Sequence, residues 1–340
     1  MIGLKVPKND ADKIRRVLLN LSLLDIDMKI KCIEDFVFIP LISTPDKMLM
    51  DELKSYEFEI VDTNFEVHTK GPKSLKSILK GKIDDDKVEE IKKSFDIIGD
   101  VVILEIPEEF GDYKYIIGDA ALKFTKRRSV FRKTSEIKGV IRTRELEHIA
   151  GEDVSETVHK EFGSRLMLDV KNVYFSPRLA TERRRITDQI KEGEIVIDMF
   201  AGIGPFSISI AREHRVKIYS IDINPDAFKY LKKNIELNKL KGKIIPVLGD
   251  VEEVLSSLNL KSDRIIMNLP GTAWNFLDTA INSLKPGGVI HYYEFASEFQ
   301  KPIDRIIETA YPRNVEILNS RKVKSKSPGI WHMGIDAIIY

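Results

Sequence analysis

In the second half of the chain short apolar runs alternate with stretches of helical spacing, and each run closes on a polar or glycine-bearing turn. The run ending at Asp198 breaks into Met199-Phe200-Ala201-Gly202-Ile203-Gly204 and resumes with helical spacing from Pro205-Phe206. Lys217 to Ile221 is a second run, ended by Asp222, and Ile244 to Leu248 a third, ended by Gly249-Asp250. Arg264 to Met267 is a fourth, ended by Asn268-Leu269-Pro270. Gly287-Gly288 opens a fifth that reaches Phe295, and Gly334 to Tyr340 alternates as a closing strand. Strands separated by helical stretches predict an α/β domain, and open sheets of this kind bind ligands at the carboxyl ends of their strands. Four successive strands carry a polar group at that edge.

The first half reads differently. Gly3 to Val6 is extended, Asp10 to Leu19 amphipathic, Lys29 to Val37 strand-like and Phe36 to Leu41 apolar, which predicts a small α+β module over residues 1–68. Thr69-Lys70-Gly71-Pro72 has linker chemistry, and a helix-like Ser74 to Leu79 follows. A second α+β module is expected over residues 69–165, with Asp84-Asp85-Asp86 at a helix start and a strand over Val101 to Ile106. Residues 166–340 form the large α/β domain.

The glycine loop is the first piece of chemistry. Glycines at 202 and 204 let backbone amides approach a ligand that a Cβ would hold off, and the next helix points its positive end at that ligand. A tight structural bend would look the same at this point. Asp222, about twenty residues on, is placed to take the hydroxyls of a ribose. A dinucleotide oxidoreductase would share both features, but its fingerprint wants a third glycine where this chain has Ser207.

Length and composition bound the rest. The 340 residues exceed one compact domain, and 43% hydrophobic with 31% charged content is that of a soluble globular chain. No apolar run is long enough to span a membrane, and Met1 to Asp10 lacks the apolar core of a signal peptide, so a cytoplasmic protein is expected. A monomer is expected because no spare apolar helix is evident. The single cysteine, Cys32, reads as a small core residue, and His148, His159 and His291 share no metal-ligand spacing, so no metal site is expected.

Net charge is only +1, yet residues 121–145 hold nine basic residues against two acidic: Lys123, Lys126, Arg127, Arg128, Arg132, Lys133, Lys138, Arg142 and Arg144 against Glu136 and Glu145. Phe124 and Phe131 lie among them. Such a stretch attracts phosphate and could stack bases, or it is a solvated basic face with both rings in the core. Arg183-Arg184-Arg185 and Lys322 to Lys326 add two further basic clusters, and together they favour an RNA-sized polyanion.

Asp198, Asp222, Asp250 and the Asn-x-Pro after the fourth strand resemble the class I S-adenosylmethionine-dependent methyltransferases. The resemblance implies a Rossmann-like seven-stranded domain, with Asp198 and the glycine loop at the methionine part of the cofactor, Asp222 at the ribose and Asp250 near the adenine. Tyr174, Phe200, Gly202, Gly204, Ile223, Asn268 and Pro270 complete the implied cofactor site. The lone cysteine leaves no iron–sulfur ligand set for radical chemistry and no nucleophile beside the methyl donor for pyrimidine C5, so a nitrogen or oxygen acceptor is expected.

The runs Arg142-Thr143-Arg144-Glu145-Leu146-Glu147-His148 and Val173-Tyr174-Phe175-Ser176-Pro177-Arg178-Leu179-Ala180-Thr181-Glu182-Arg183, with the cofactor loop and Asn268-Leu269-Pro270, narrow the resemblance. They are similar in order and spacing to the archaeal and eukaryotic tRNA (guanine-37) N1-methyltransferases, over roughly residues 130–340, and the first module is similar to the archaeal form. Methyl transfer to guanine N1 needs a base for the N1 proton and a cation beside O6. By resemblance Glu182 is the base, Arg142 the cation, Asn268 holds the base edge, and Arg183 touches a neighbouring phosphate. Gly271 stands where relatives acting on exocyclic amines carry an aromatic, which favours a ring nitrogen. Arg127, Arg128, Arg132, Lys133 and Arg144 are the remaining RNA-binding candidates. The first module is expected to meet the tRNA body and the second the anticodon arm. Alternatives are additional action on a wyosine precursor at the same position, or a non-catalytic RNA-binding protein on a cofactor fold.

Overall fold

The computed structural model describes residues 1–67, 72, 74–91, 95–135 and 145–340. The chain divides into two compact units, Met1–Ser77 and Ile78–Tyr340. The first contains β1 (Ile2–Pro7), α1 (Ala11–Asn20), β2 (Lys31–Ile33), β3 (Phe36–Pro40), α2 (Lys47–Glu52) and β4 (Glu59–Asp62). Its sheet has the order β2-β3-β1-β4 with every pair antiparallel. Leu4, Val6, Val37 and Ile39 bury one face of that sheet against Ile14 and Leu18 of α1 and Leu49 of α2. The strand expected over Lys29 to Val37 is two strands, because Glu34 turns the chain at φ +50° and folds β2 back on β3. Cys32 corrects a second expectation. It is exposed on the three-residue edge strand β2, which is too short to be covered, and is not a core residue.

α3 (Leu75–Leu79) carries the chain onward, and the expected linker 69–72 lies almost wholly outside the described residues. In the second unit α4 (Asp85–Glu90) starts behind Asp84, with its acids at the positive helix end. β5 (Asp96–Ile98), β6 (Val101–Leu104), α5 (Lys114–Thr125), β7 (Ser129–Lys133) and β8 (Leu146–Gly151) follow. They make a sheet of order β5-β6-β7-β8 in which the parallel pair β6–β7 is joined through α5. Next comes the hairpin of β9 (Glu156–Glu161) and β10 (Ser164–Asp169), so a division after residue 165 falls inside a strand.

The remainder is α6 (Ala180–Thr187), β11 (Ile195–Asp198), α7 (Pro205–Glu213), β12 (Lys217–Asp222), α8 (Pro225–Leu237), β13 (Lys243–Leu248) and α9 (Val251–Leu258). It continues with β14 (Ser262–Met267), α10 (Leu277–Asn282), β15 (Leu284–Ala296), α11 (Gln300–Ala310), β16 (Val315–Ser327) and β17 (Ile330–Ile339). The sheet has the order β13-β12-β11-β14-β15-β17-β16, parallel through β15 and then antiparallel at β17. Ile186, Phe206, Ile210 and Tyr230 of α6–α8 pack on one face with Ile218, Ile266 and Tyr293. Leu255, Leu277, Ile281 and Ile306 of α9–α11 pack on the other with Ile197, Met267 and Tyr292. Consecutive Tyr292 and Tyr293 thus serve opposite layers, as the two-residue period of a strand requires. The β9–β10 hairpin is fastened to α8: Asn234 Oδ1 accepts from the Met167 amide at 2.7 Å and Asn238 Oδ1 from that of Arg165 at 2.9 Å.

β16 has no counterpart among the expected strands. Its sequence, Val315 to Ser327, has Val323 as its one apolar residue after Leu318, so an edge strand paired only to β17 carries little of the apolar signal of the inner strands. Among the described residues no helix is long and apolar enough to cross a membrane.

Candidate functional site

The turn after β11 is held in a shape only glycine tolerates at two points. Gly202 sits at φ +56° and Gly204, preceding Pro205 at the start of α7, at φ +83°. A Cβ at Gly204 would come 2.4 Å from Leu231 of α8, so this glycine lets two helices approach rather than lining a ligand space. A Cβ at Gly202 would meet only the Tyr174 carbonyl oxygen, at 4.0 Å, and this glycine does border the cleft.

That cleft opens along the carboxyl ends of β11–β14, the edge at which open α/β sheets bind their ligands. Seven expected cofactor residues line it: Tyr174, Phe200, Gly202, Asp222, Ile223, Asp250 and Asn268. Met199, Val251, Leu269 and Phe276 add apolar walls, with the Phe200 and Phe276 rings 5.2 Å apart, edge to face. Asp222 accepts backbone amides on both oxygens, Oδ2 from Gly202 at 2.6 Å and Oδ1 from Asn224 at 2.9 Å. A carboxylate only accepts, which is the chemistry that ribose hydroxyls require. Asp250 caps α9 through Oδ1, at 2.9 Å from the Glu252 amide. The Asn268 side-chain amide makes no hydrogen bond among the described residues and faces the cleft. An apolar slot for a base, two acids and an unengaged amide fit an adenosine-bearing cofactor.

Three expected cofactor residues lie elsewhere. Gly204 has been described, and Pro270 lies behind the wall, its carbonyl accepting from the Phe295 amide at 3.0 Å. Asp198 is 1% exposed beneath the glycine loop. Its Oδ2 accepts from Ser207 Oγ at 2.8 Å, and Ser207 in turn accepts from Ser220 Oγ at 2.7 Å. Oδ1 has no hydrogen-bond partner. Burial, helped by the nearby charge of Asp222 and opposed by the Ser207 bond, pushes the Asp198 carboxyl up to about 7.

Glu182 occupies a second centre, at the end of β15 on the α6–α7 side. It is buried and saturated: Oε1 accepts from Tyr293 Oη at 2.6 Å, Arg185 Nη2 at 2.8 Å and Arg321 Nη2 at 2.5 Å, and Oε2 from the Nε of both arginines at 3.1 Å. Arg185 and Arg321 also reach Asp336, at 2.7 and 3.0 Å. Two cations and two anions thus close a square. Burial and the facing Glu182 hold the Tyr293 phenol far above its ordinary pKa, so it remains a donor. Behind Asp336 the network continues to His291 Nδ1 at 2.7 Å, and from His291 Nε2 to Arg264 Nη1 at 2.7 Å. A guanidinium only donates, so Nε2 accepts and the ring proton sits on Nδ1, toward Asp336. Burial lowers the His291 pKa, consistent with that neutral ring. Burial raises the Asp336 pKa, but the His291 bond and the Arg185 guanidinium outweigh it and leave it lowered. Tyr293, Arg185, Arg321, Asp336 and His291 were not among the sequence candidates. Arg185 entered only as part of the basic cluster Arg183-Arg184-Arg185 and as a surface partner for Glu182, and Asp336, an acid within the apolar run Gly334 to Tyr340, was a further signal.

Several RNA-binding expectations need correction. Arg183 is 1% exposed and clasps Glu161 through Nε at 2.7 Å and Nη2 at 2.5 Å, with its guanidinium over the Phe175 ring. It braces the Tyr174–Pro177 segment and has no surface for a phosphate. Four of the six described cations in 121–133 face carboxylates: Arg127 with Asp100 at 3.8 Å, Arg128 with Glu152 at 2.6 Å, Arg132 with Glu147, and Lys133 with Asp96 and Glu105 at 3.9 Å. Phe131 is fully buried in the core, and Phe124 packs edge-on against Phe95. Arg142, Arg144 and Lys138 lie outside the described residues.

The strand order, the antiparallel strand near the edge and the glycine loop with acids after β12 and β13 define a class I, Rossmann-like methyltransferase domain, a class that draws its methyl group from S-adenosylmethionine. The chain belongs to the TRM5/TYW2 family, whose methyltransferase-domain model matches residues 157–318. A TYW2 N-terminal domain model matches residues 75–154, and a tRNA methyltransferase 5 N-terminal domain model residues 3–49. The chain is 42% identical to the tRNA (guanine(37)-N(1))-methyltransferase Trm5b of Pyrococcus abyssi over 98% of both chains. It is 36% identical to the tRNA 4-demethylwyosine(37)-methyltransferase Taw21 of Saccharolobus solfataricus, over 73% of this chain and 94% of that one. Among solved structures, the complex of aTrm5 and tRNALeu matches all of both chains with TM-score 0.73 and 40% identity. The Methanocaldococcus jannaschii Trm5 complex with adenosine covers 100% of this chain and 99% of that one, with TM-score 0.68 and 40% identity.

Proposed function

We propose that this protein transfers a methyl group from S-adenosylmethionine to N1 of guanine 37 of tRNA. The observation that carries this reading is coverage. Similarity to a guanine-37 N1 enzyme runs through the first module, whereas similarity to the wyosine-precursor methyltransferase stops at 73% of the chain.

S-adenosylmethionine in the β11–β14 cleft supplies a methyl group on a positively charged sulfur. Asp222 holds the ribose, the apolar walls and Asp250 the adenine side, and Asn268 turns its unengaged amide to the target base. Glu182 takes the N1 proton. In the described arrangement its lone pairs are occupied by Tyr293, Arg185 and Arg321, so the arriving N1–H requires one donor to withdraw. Arg321 is that donor, because it reaches in from the edge strand β16, whereas Tyr293 is fixed in the core. Arg142 stands as the cation beside O6, by family resemblance alone. Asp336 and Arg185 keep a counter-charge at the site whichever way the proton moves. The tRNA is the partner, engaged by the two amino-terminal modules.

The test is labelled-methyl transfer to unmodified transcripts carrying guanine or adenine at position 37, with nucleoside analysis. N1-methylguanosine from the guanine transcript alone is expected, and Glu182→Gln lowers the rate at least about 100-fold while S-adenosylhomocysteine still binds. A methyl group on another atom, or full activity in the Glu182 variant, refutes the assignment. Transcripts carrying the wyosine precursor test the second activity that the Taw21 similarity favours.

A further inference from the structure

We infer that the outer half of β16, through Lys322 and Lys324, grips the sugar–phosphate backbone of the RNA beside the methyl-transfer site; this rests on the reading of the substrate as RNA. β14 stops at Met267, opposite Tyr292, but β15 runs on to Ala296 and pairs with β17 as far as Trp331. β16 follows β17 out to Ser327, so a three-stranded ribbon stands beyond the edge at which the cofactor cleft opens. At its root Arg321 touches Glu182. Lys324 Nζ lies 3.5 Å from Ser176 Oγ, in the short segment between cleft-lining Tyr174 and the helix that carries Glu182. Lys322 lies over the Trp331 ring at 4.7 Å and Lys326 over the Phe295 ring at 5.7 Å.

Among the described residues neither Lys322 nor Lys324 has a carboxylate within salt-bridge distance, unlike the arginines of 127–132. Lysines on an edge strand also serve to discourage strand addition, which would place them along the whole edge. Here the inner half of β16, Val315 to Ser320, has none, and all the cations fall between Arg321 and Lys326. Register shifts at Lys322/Lys324 and Ser325/Ser327 already spoil that edge for pairing. The position of the lysines therefore follows the site, not the edge. A base flipped into a pocket must be held by the phosphates on either side of it, and cations beside the pocket supply that hold.

The experiment uses full-length protein and an unmodified tRNA transcript with guanine at position 37. Affinity is measured between 50 and 200 mM salt for wild type and for Lys322→Gln/Lys324→Gln, with S-adenosylhomocysteine binding as the measure of an intact fold. Each lost phosphate contact reduces the logarithmic salt slope by about 0.7–0.9, so the wild type should weaken roughly tenfold more than the double variant over that range. Either single variant should show about half of that slope change. Equal slopes in a wild type that methylates the transcript overturn the inference and leave the proposed activity standing. A salt-sensitive slope difference without methyl transfer does the reverse, and a wild type that does not bind the transcript removes both.

Discussion

The chain has two basic stretches of RNA-binding appearance, 121–133 and 321–326, and the folded protein treats them oppositely. The first holds more basic residues, yet Arg127, Arg128, Arg132 and Lys133 are met by Asp100, Glu152, Glu147 and the pair Asp96 and Glu105, so most of its field is spent inside the module. The second has fewer charges and divides them by depth. Arg321 turns inward to Glu182 and Asp336, while Lys322 and Lys324 remain unneutralised at the mouth of the site. The number of like charges in a stretch of chain is therefore a poor guide to surface potential. What counts is how much of it lacks an opposite charge in space.

The largest expected effect probes the inward cation. Arg321→Ala leaves Glu182 and Asp336 sharing Arg185 in a buried setting, and should cost about 3 kcal/mol in chemical denaturation, with Arg321→Lys recovering part of it. An unchanged denaturation midpoint would show that the charge square is incidental.

Asp198 sharpens the contrast from the other side, as a buried carboxyl with no cation paired to it among the described residues. Its carboxyl rises from 3.8 to about 7 on folding. Below pH 4 it is protonated in both folded and unfolded chains and costs nothing. Between pH 4 and 7 the unfolded chain releases the proton first, so stability falls as pH rises, at most about 1.4 kcal/mol per pH unit, and the loss is constant above pH 7. Asp198→Asn should remove this part of the pH dependence, measured without cofactor. Parallel profiles for wild type and variant would mean that Asp198 is charged beneath the loop.

The salt-slope change for Lys322 and Lys324 comes next. The smallest effect belongs to the exposed pairs of the first stretch: Arg127→Gln/Arg128→Gln should leave the melting temperature unchanged and alter the salt slope less than the β16 variant does. A larger change there than at β16 would invert the comparison.

Much of the methyltransferase domain was legible in the sequence. The runs at 217–221, 244–248 and 264–267 are strands within two residues of their expected bounds, and the turn residues that follow them reach the cleft at Asp222, Asp250 and Asn268. These were readable because buried parallel strands are continuous apolar runs and their ligand ends are fixed by topology. β16 was not readable, since an edge strand with a polar outer face lacks that signal. Nor were Tyr293 and Arg321, the partners of Glu182 that arrive from β15 and β16, more than a hundred residues away.

By itself the sequence determined the order of strands and helices, the glycine turn and the residue types at each strand end, because these depend on local backbone freedom and on alternation within a few residues. Only the tertiary structure decided which charges are spent and which are free. It buried Arg183 on Glu161, sank Asp198 beneath the loop it was expected to serve, and set Lys322 over Trp331 and Lys324 against Ser176. Electrostatic interaction depends on distance through space and on burial, and neither is a property of position along the chain.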